Sequence, residues 1–287
     1  MKNNKWFYLI LLSLIWGSSF ILMKKALIGL NPIEIGAFRI LIAGVILLFI
    51  GIKRLKSIEK KLWKPLAIVA FIGTFFPVFL FSYAISEIDS GIAAVLNSLT
   101  PIITMLLGAF FFNFSFTKKQ VTGIVLGLFG TLILLYRSAI ENPSKEYQYA
   151  FLILIAACGY GFSVNFLKRK LSTIDSLSIT TATFTMLLLP AMIVLIFSGF
   201  FNNEFSAETL YTSLGYVFLL AAFGTSMAML LFYRLVQISS PVFSTSVTYL
   251  ITVVAVIWGV LDGEKISAIQ FLASIGIIAG VIMAQRK

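Results

Sequence analysis

Histidine is absent from the 287 residues, and there is a single cysteine, Cys158. Without histidine the chain lacks the commonest general base and the commonest metal ligand. One cysteine excludes an intrachain disulfide. Charge is scarce as well: Asp, Glu, Lys and Arg make up 11% of the residues, against about a quarter in soluble domains. What fills the space is apolar, 60% of the chain, with a mean hydropathy of +1.02. That balance excludes a soluble globular enzyme and a disordered chain, and it leaves a polytopic membrane protein.

A membrane helix needs about 20 apolar residues. Long runs of that kind cover 6–23, 35–52, 65–86, 90–117, 120–136, 147–167, 176–203, 209–233, 235–261 and 266–285. Ten spans with short loops leave no room for a large soluble domain. The first run follows Lys2 and Lys5, is longer than a signal-peptide core and shows no small-residue cleavage site, so it reads as a retained helix. With both termini on the cytoplasmic side, sixteen basic residues fall inside, among them Lys53, Arg54, Lys56, Lys60, Lys61 and Lys64. Five fall outside: Lys24, Lys25, Arg137, Lys145 and Lys265. The bias matches the positive-inside rule and orients the chain in the cell membrane. It also gives the net charge of +11 a topogenic reading in place of nucleic-acid binding.

The two halves resemble each other. An offset of 150 pairs Tyr83 with Tyr233, Ile88 with Ile238, Ser90 with Ser240, Gln120 with Gln270 and Gly130 with Gly280. Each half carries five spans, and five is odd, so the second half enters the membrane upside down. The expected fold is an all-α membrane protein with ten transmembrane helices arranged as two inverted five-helix repeats, 6–137 and 147–285. Such repeats rock about a central site in carriers.

Several short stretches sharpen this picture. They are Trp16-Gly17-Ser18-Ser19-Phe20 in the first span, Arg39 in the second, Leu99-Thr100-Pro101 in the fourth, and Gly263-Glu264 before the last. In this combination the chain resembles the EamA-type permeases of the drug/metabolite transporter superfamily over nearly its whole length. One departure is plain: Phe112-Asn113-Phe114 stands where the first repeat of that family carries its own Gly-Glu. The resemblance implies transport of small organic metabolites, often export of amino acids or related compounds.

Candidate substrate contacts follow from polar residues at membrane depth. Asn97 and Thr100 lie beside Pro101, which cannot donate to the Asn97 carbonyl. Ser244, Thr248 and Tyr249 occupy the corresponding stretch of the second half. Trp16 and Ser19 in the first span have Tyr160 and Asn165 as counterparts in the sixth, and Tyr83 and Tyr233 share a repeat position. Each has a structural alternative: helix-to-helix hydrogen bonding for the polar groups and interfacial anchoring for the tyrosines. Arg39 is the only charge well inside a span. It contacts an anionic substrate, forms a gate or ion pair with Glu34, Glu87 or Asp89, or snorkels to the interface. Pro77, Pro101 and Pro190 are expected helix breaks.

No Asp or Glu lies at mid-span, so a carboxylate proton relay has no candidate, and no Walker A sequence is present. No cofactor or metal is expected. The reading is a carrier of neutral or zwitterionic metabolites, working by alternating access as a monomer or homodimer, with the lipid bilayer and a small-molecule substrate as its partners and no nucleic acid. The alternatives are a channel or non-transporting scaffold, or an intramembrane lipid enzyme. The last would need an activated nucleophile at membrane depth, and no His, Asp or Glu is placed to supply one.

Overall fold

The computed structural model describes residues 4–87, 93, 96–141, 149–203, 206–261 and 268–285, and these are almost entirely helical. The chain runs through α1 (Lys5–Ala26), α2 (Pro32–Leu55), α3 (Trp63–Ala70), a π-helical segment (Phe71–Phe75) and α4 (Phe76–Glu87). It continues through α5 (Thr100–Phe112), α6 (Lys118–Glu141), α7 (Ala150–Lys170) and α8 (Ser176–Phe197). Then come α9 (Ala207–Leu219), a second π-helical segment (Leu220–Met227) and α10 (Ala228–Ile238). Last are α11 (Pro241–Thr245), α12 (Val247–Leu261) and α13 (Ala268–Gln285). Among the described residues six helical stretches are long and apolar enough to cross a membrane, and shorter apolar helices accompany them.

Local chemistry sets the boundaries. Asn31 and Glu34 form a reciprocal capping box at the start of α2, where Pro32 occupies the first turn. Asp175 caps α8 by accepting from the Ser178 amide at 3.0 Å and from its hydroxyl at 2.6 Å. Burial of this carboxyl raises its pKa, but the Ser178 hydrogen bonds and the nearby Arg54 charge outweigh that, and it lies below its ordinary value. Asn113 closes α5 in a left-handed conformation, φ 54°, so this helix stops short of the expected 117. Pro190 sits inside α8, which runs through it unbroken to Phe197. The expected break at that position does not occur: α8 packs along the full face of α2, and packing holds a proline-containing helix together.

The exterior is apolar. Phe49, Phe110 and Phe197 are 89%, 80% and 85% exposed. A bundle in lipid has no reason to bury its apolar side chains from solvent, so such residues mark the lipid-facing surface. Conversely, many small hydroxyls are buried, and they bond to carbonyls one turn back: Ser13 to Leu9, Thr104 to Thr100, Thr131 to Gly127 and Thr183 to Ile179. Those bonds let polar side chains sit between helices without orphaned groups.

Some helix pairings recur in the two halves of the chain. α2 packs on α8, and α6 packs on α13. α1 meets α12 as α7 meets α5, and α1 meets α9 and α10 as α7 meets α4. The α6–α13 pair is held by backbone proximity at Gly123 and Gly280. A Cβ on Gly280 would stand 2.6 Å from the Gly123 carbonyl oxygen, so any side chain there forces the helices apart.

Candidate functional site: a central cavity

Two interruptions of helix geometry meet at the middle of the bundle. The first is the pair of π-helical segments. A π turn offsets the i→i−4 ladder and leaves carbonyls free for other donors. Both segments carry the dipeptide Gly-Thr, at 73–74 and at 224–225. The indole Nε1 of Trp16 donates to the Gly224 carbonyl at 2.9 Å. The Thr74 hydroxyl pairs with the Tyr233 hydroxyl at 3.5 Å, and the Thr225 hydroxyl accepts from Arg39 Nε at 3.4 Å.

The second interruption is the helix break before α5 and between α11 and α12. The stretch Asn97-Ser98-Leu99-Thr100 corresponds to Thr245-Ser246-Val247-Thr248. The local bonding repeats too. Thr100 Oγ1 donates to the Asn97 carbonyl at 2.6 Å, and Thr248 Oγ1 donates to the Thr245 carbonyl at 3.0 Å. The carbonyl that Pro101 leaves without an amide partner is therefore satisfied by the neighbouring threonine.

These elements enclose a cavity of about 180 Å³. Trp16, Ser19, Arg39, Asn97, Thr100, Tyr160, Tyr233 and Thr248 line it, so the structure brings together eight of the residues that the sequence pattern singled out. Four other candidates lie off the wall. Asn165 is buried between α7 and α5, and its amide donates to the Thr104 and Gly161 carbonyls at 2.8 Å each. Tyr249 turns away from the cavity, packs against Gly127 and donates to the Ile124 carbonyl at 2.9 Å, tying α12 to α6. Ser244 bonds Ser239 and the Ser240 carbonyl. Tyr83 is 38% exposed and sits beside Tyr149.

The suggested acidic partners of Arg39 are engaged elsewhere. Glu34 is committed to the capping box and to Asn203 at 3.5 Å, and exposed Glu87 accepts from Ser86. Asp89 lies outside the described residues. Among the described residues no carboxylate lies within ion-pairing distance of Arg39. Of the prolines, Pro101 occupies the first turn of α5 and Pro77 the first turn of α4, directly after the first π segment.

Sequence reasoning missed the Gly-Thr pairs, Ser163, Phe232 and Met23, all of which line the cavity. The Gly-Thr repeat, spaced by 151, was a usable signal. A Cβ on Gly73 would collide with Ser163 and one on Gly224 with Ser19, so the glycines let the π segments approach α7 and α1. The lining extends to Met23 and Ile85, near the ends of α1 and α4, and stops at Tyr233 and Thr245 in the other direction. Beyond Tyr233, Lys168 Nζ donates to the Val236 and Gln237 carbonyls at 3.1 and 2.7 Å. The Gln237 amide in turn donates to the Ile174 carbonyl.

The comparisons with known proteins agree with this architecture. The model of the EamA-like transporter family matches residues 4–136 and again residues 148–285. A relative named as the uncharacterized transporter YoaV of Bacillus subtilis is 26% identical over 96% of this chain and 94% of its own length. The uncharacterized inner membrane transporter YedA of Escherichia coli is 28% identical over 95% and 87%. A probable amino-acid metabolite efflux pump of Salmonella typhimurium is 26% identical over 60% and 55%. A crystal structure 18% identical superposes over 99% of this chain and 97% of its own, with a TM-score of 0.75, which bears on the fold alone. The chain is thus similar to multi-pass membrane transporters and not to enzymes, and it belongs to the EamA-like transporter family.

Proposed function

We propose that the protein exports small organic metabolites, amino acids or related neutral or zwitterionic compounds, by alternating access. Its working parts are ten membrane helices in two inverted five-helix repeats, 6–137 and 147–285, with both termini in the cytoplasm. The observation that carries this reading is the cavity wall itself. It is built twice, from Asn97 and Thr100 opposite Thr245 and Thr248, and from Gly73-Thr74 opposite Gly224-Thr225. A binding site at the junction of two like units is what rocking carriers use. The matching helix pairings and the double match of the family model support the same division. One distant relative named as a metabolite efflux pump supports export.

The lining reaches Met23 and Ile85, at the ends that the charge bias favours as outside, and the Lys168–Gln237 bonds lie past the other end. This supports reading the conformation as the outward-facing member of the alternating pair. A ten-helix unit with its own two repeats can work alone, so the protein functions as a monomer or as each half of a homodimer.

The test is metabolite release from cells expressing the wild type or Asn97→Ala at matched levels, followed by mass spectrometry of the medium. A compound released by wild type and at least fivefold less by the variant supports the reading. Equal release of every compound by wild type, variant and empty cells removes it.

A further inference from the structure

Arg39 is the one charged residue on the described cavity wall. A guanidinium carries five N–H donors in a planar fork. Only Nε has a partner here, the Thr225 hydroxyl at a long 3.4 Å, which orients the fork without neutralising it. The terminal nitrogens are not sealed in protein: they are absent from the buried unpartnered atoms, and the residue keeps part of its surface accessible on the cavity side. A cation in hydrocarbon surroundings persists only beside an anion or water. Tyr160 stands within electrostatic reach of it, and Tyr233 within reach of Tyr160, so hydroxyls flank the charge and no described acid does. The remainder of the wall is largely apolar, with Met23, Phe81, Leu220, Met229, Phe232 and Ile251.

We infer that Arg39 is the anchor for the cargo's carboxylate, and that the substrates are small organic acids with an apolar body. This rests on the central-cavity transport reading and shifts its cargo from neutral and zwitterionic compounds toward net-anionic acids. A carboxylate matches the guanidinium fork through two parallel N–H···O bonds. The apolar body fits the aliphatic and aromatic wall. A cationic group on the cargo finds hydroxyls and carbonyls but no counter-charge among the described residues, so net-anionic acids bind better than zwitterions of the same skeleton.

The experiment uses the full chain purified in lipid nanodiscs. Trp16 fluorescence is followed in a background where the three other tryptophans, Trp6, Trp63 and Trp258, are Phe. Four probes are titrated: 4-methylpentanoate, 4-methylpentanamide, leucine and leucinamide. The expected order of apparent affinity is 4-methylpentanoate, then leucine, then both amides, with at least tenfold between the first acid and its amide. Arg39→Gln abolishes that preference and Arg39→Lys keeps part of it, because the charge remains while the fork is lost. Equal response to acid and amide, no response to either acid, or an acid preference that survives Arg39→Gln overturns the anchor. If the anchor falls while metabolite release still separates wild type from Asn97→Ala, the carrier reading stands alone. If release is also indistinguishable, both readings fall.

Discussion

Two parts of the bundle are built on different plans. The α6–α13 pair meets backbone to backbone, with Gly123 against Gly280, and contributes no described residue to the cavity. The two π-interrupted stretches, Lys60–Glu87 and Ala207–Ile238, pack on α7 and α1 and also present hydroxyls and carbonyls to the cavity. The first spends its interface on close packing, and the second adds polar groups that a ligand can reach. A carrier needs both: a joint that stays shut and walls that rearrange. Single π turns inside α-helices occur frequently at functional sites, which fits the second role.

Substitutions at seven positions break or sharpen that contrast. The largest effect belongs to the joint. Gly280→Leu inserts a side chain where a Cβ alone is 2.6 Å from backbone. It should cost well above the ~1–3 kcal/mol of ordinary overpacking, seen as loss of a monodisperse peak in fluorescence-detected gel filtration. Gly276→Leu on the same helix, with nothing within 4 Å of the added Cβ, should leave the peak intact. If both survive, the joint is not a joint.

Wall substitutions should spare folding and reduce flux. Thr248→Ala mirrors Asn97→Ala across the repeat, and each should lower metabolite release at least fivefold with the gel-filtration peak unchanged. A large effect from one alone would mean that the cavity uses its halves unequally. Tyr233→Phe removes the hydroxyl that meets Thr74 and should lower flux a few-fold. Tyr83→Phe, at the same repeat position but on the exposed surface, should stay within twofold. The smallest effect is outside the membrane. Asp175→Ala should cost about 1 kcal/mol through loss of a helix cap. The carboxyl lies below its ordinary value in the folded chain, so its contribution is complete above about pH 4. It fades as pH falls through the lower folded value, and thermal melts of variant and wild type should converge there.

The helices were legible because apolar runs of about 20 residues bounded by basic loops have one explanation. Their interruptions were legible only where a residue type announces them. Pro101 marked the start of α5 and Pro77 the end of the first π segment, whereas the second π segment has no such residue and no hydropathy signature and went unread. Pro190 announced a break that packing on α2 prevents. The cavity wall was half legible for a geometric reason. Successive residues on a helix point about 100° apart, so Thr248 lines the cavity while its neighbour Tyr249 faces α6. Asn165 and Ser163 differ in the same way: Ser163 lines the cavity and Asn165 clamps α5. A polar residue at the right depth is not yet on the right face, and depth alone was readable. Tyr83 and Tyr233 show the further limit, because residues matched by sequence offset need not have equivalent surroundings.

The lone guanidinium on the wall has an electrical consequence. With a carboxylate seated, the described wall is neutral; empty, it carries one positive charge. The membrane potential then does its work on the unloaded carrier, at about 2.3 kcal/mol per charge for each 100 mV if the whole field is crossed. On the proposed anchor and direction, an interior-negative potential would draw that charge inward and return the emptied cavity to the side where cargo waits. Each acid exported would carry one negative charge out of the cell, so the resting voltage would drive the cycle with no accompanying ion.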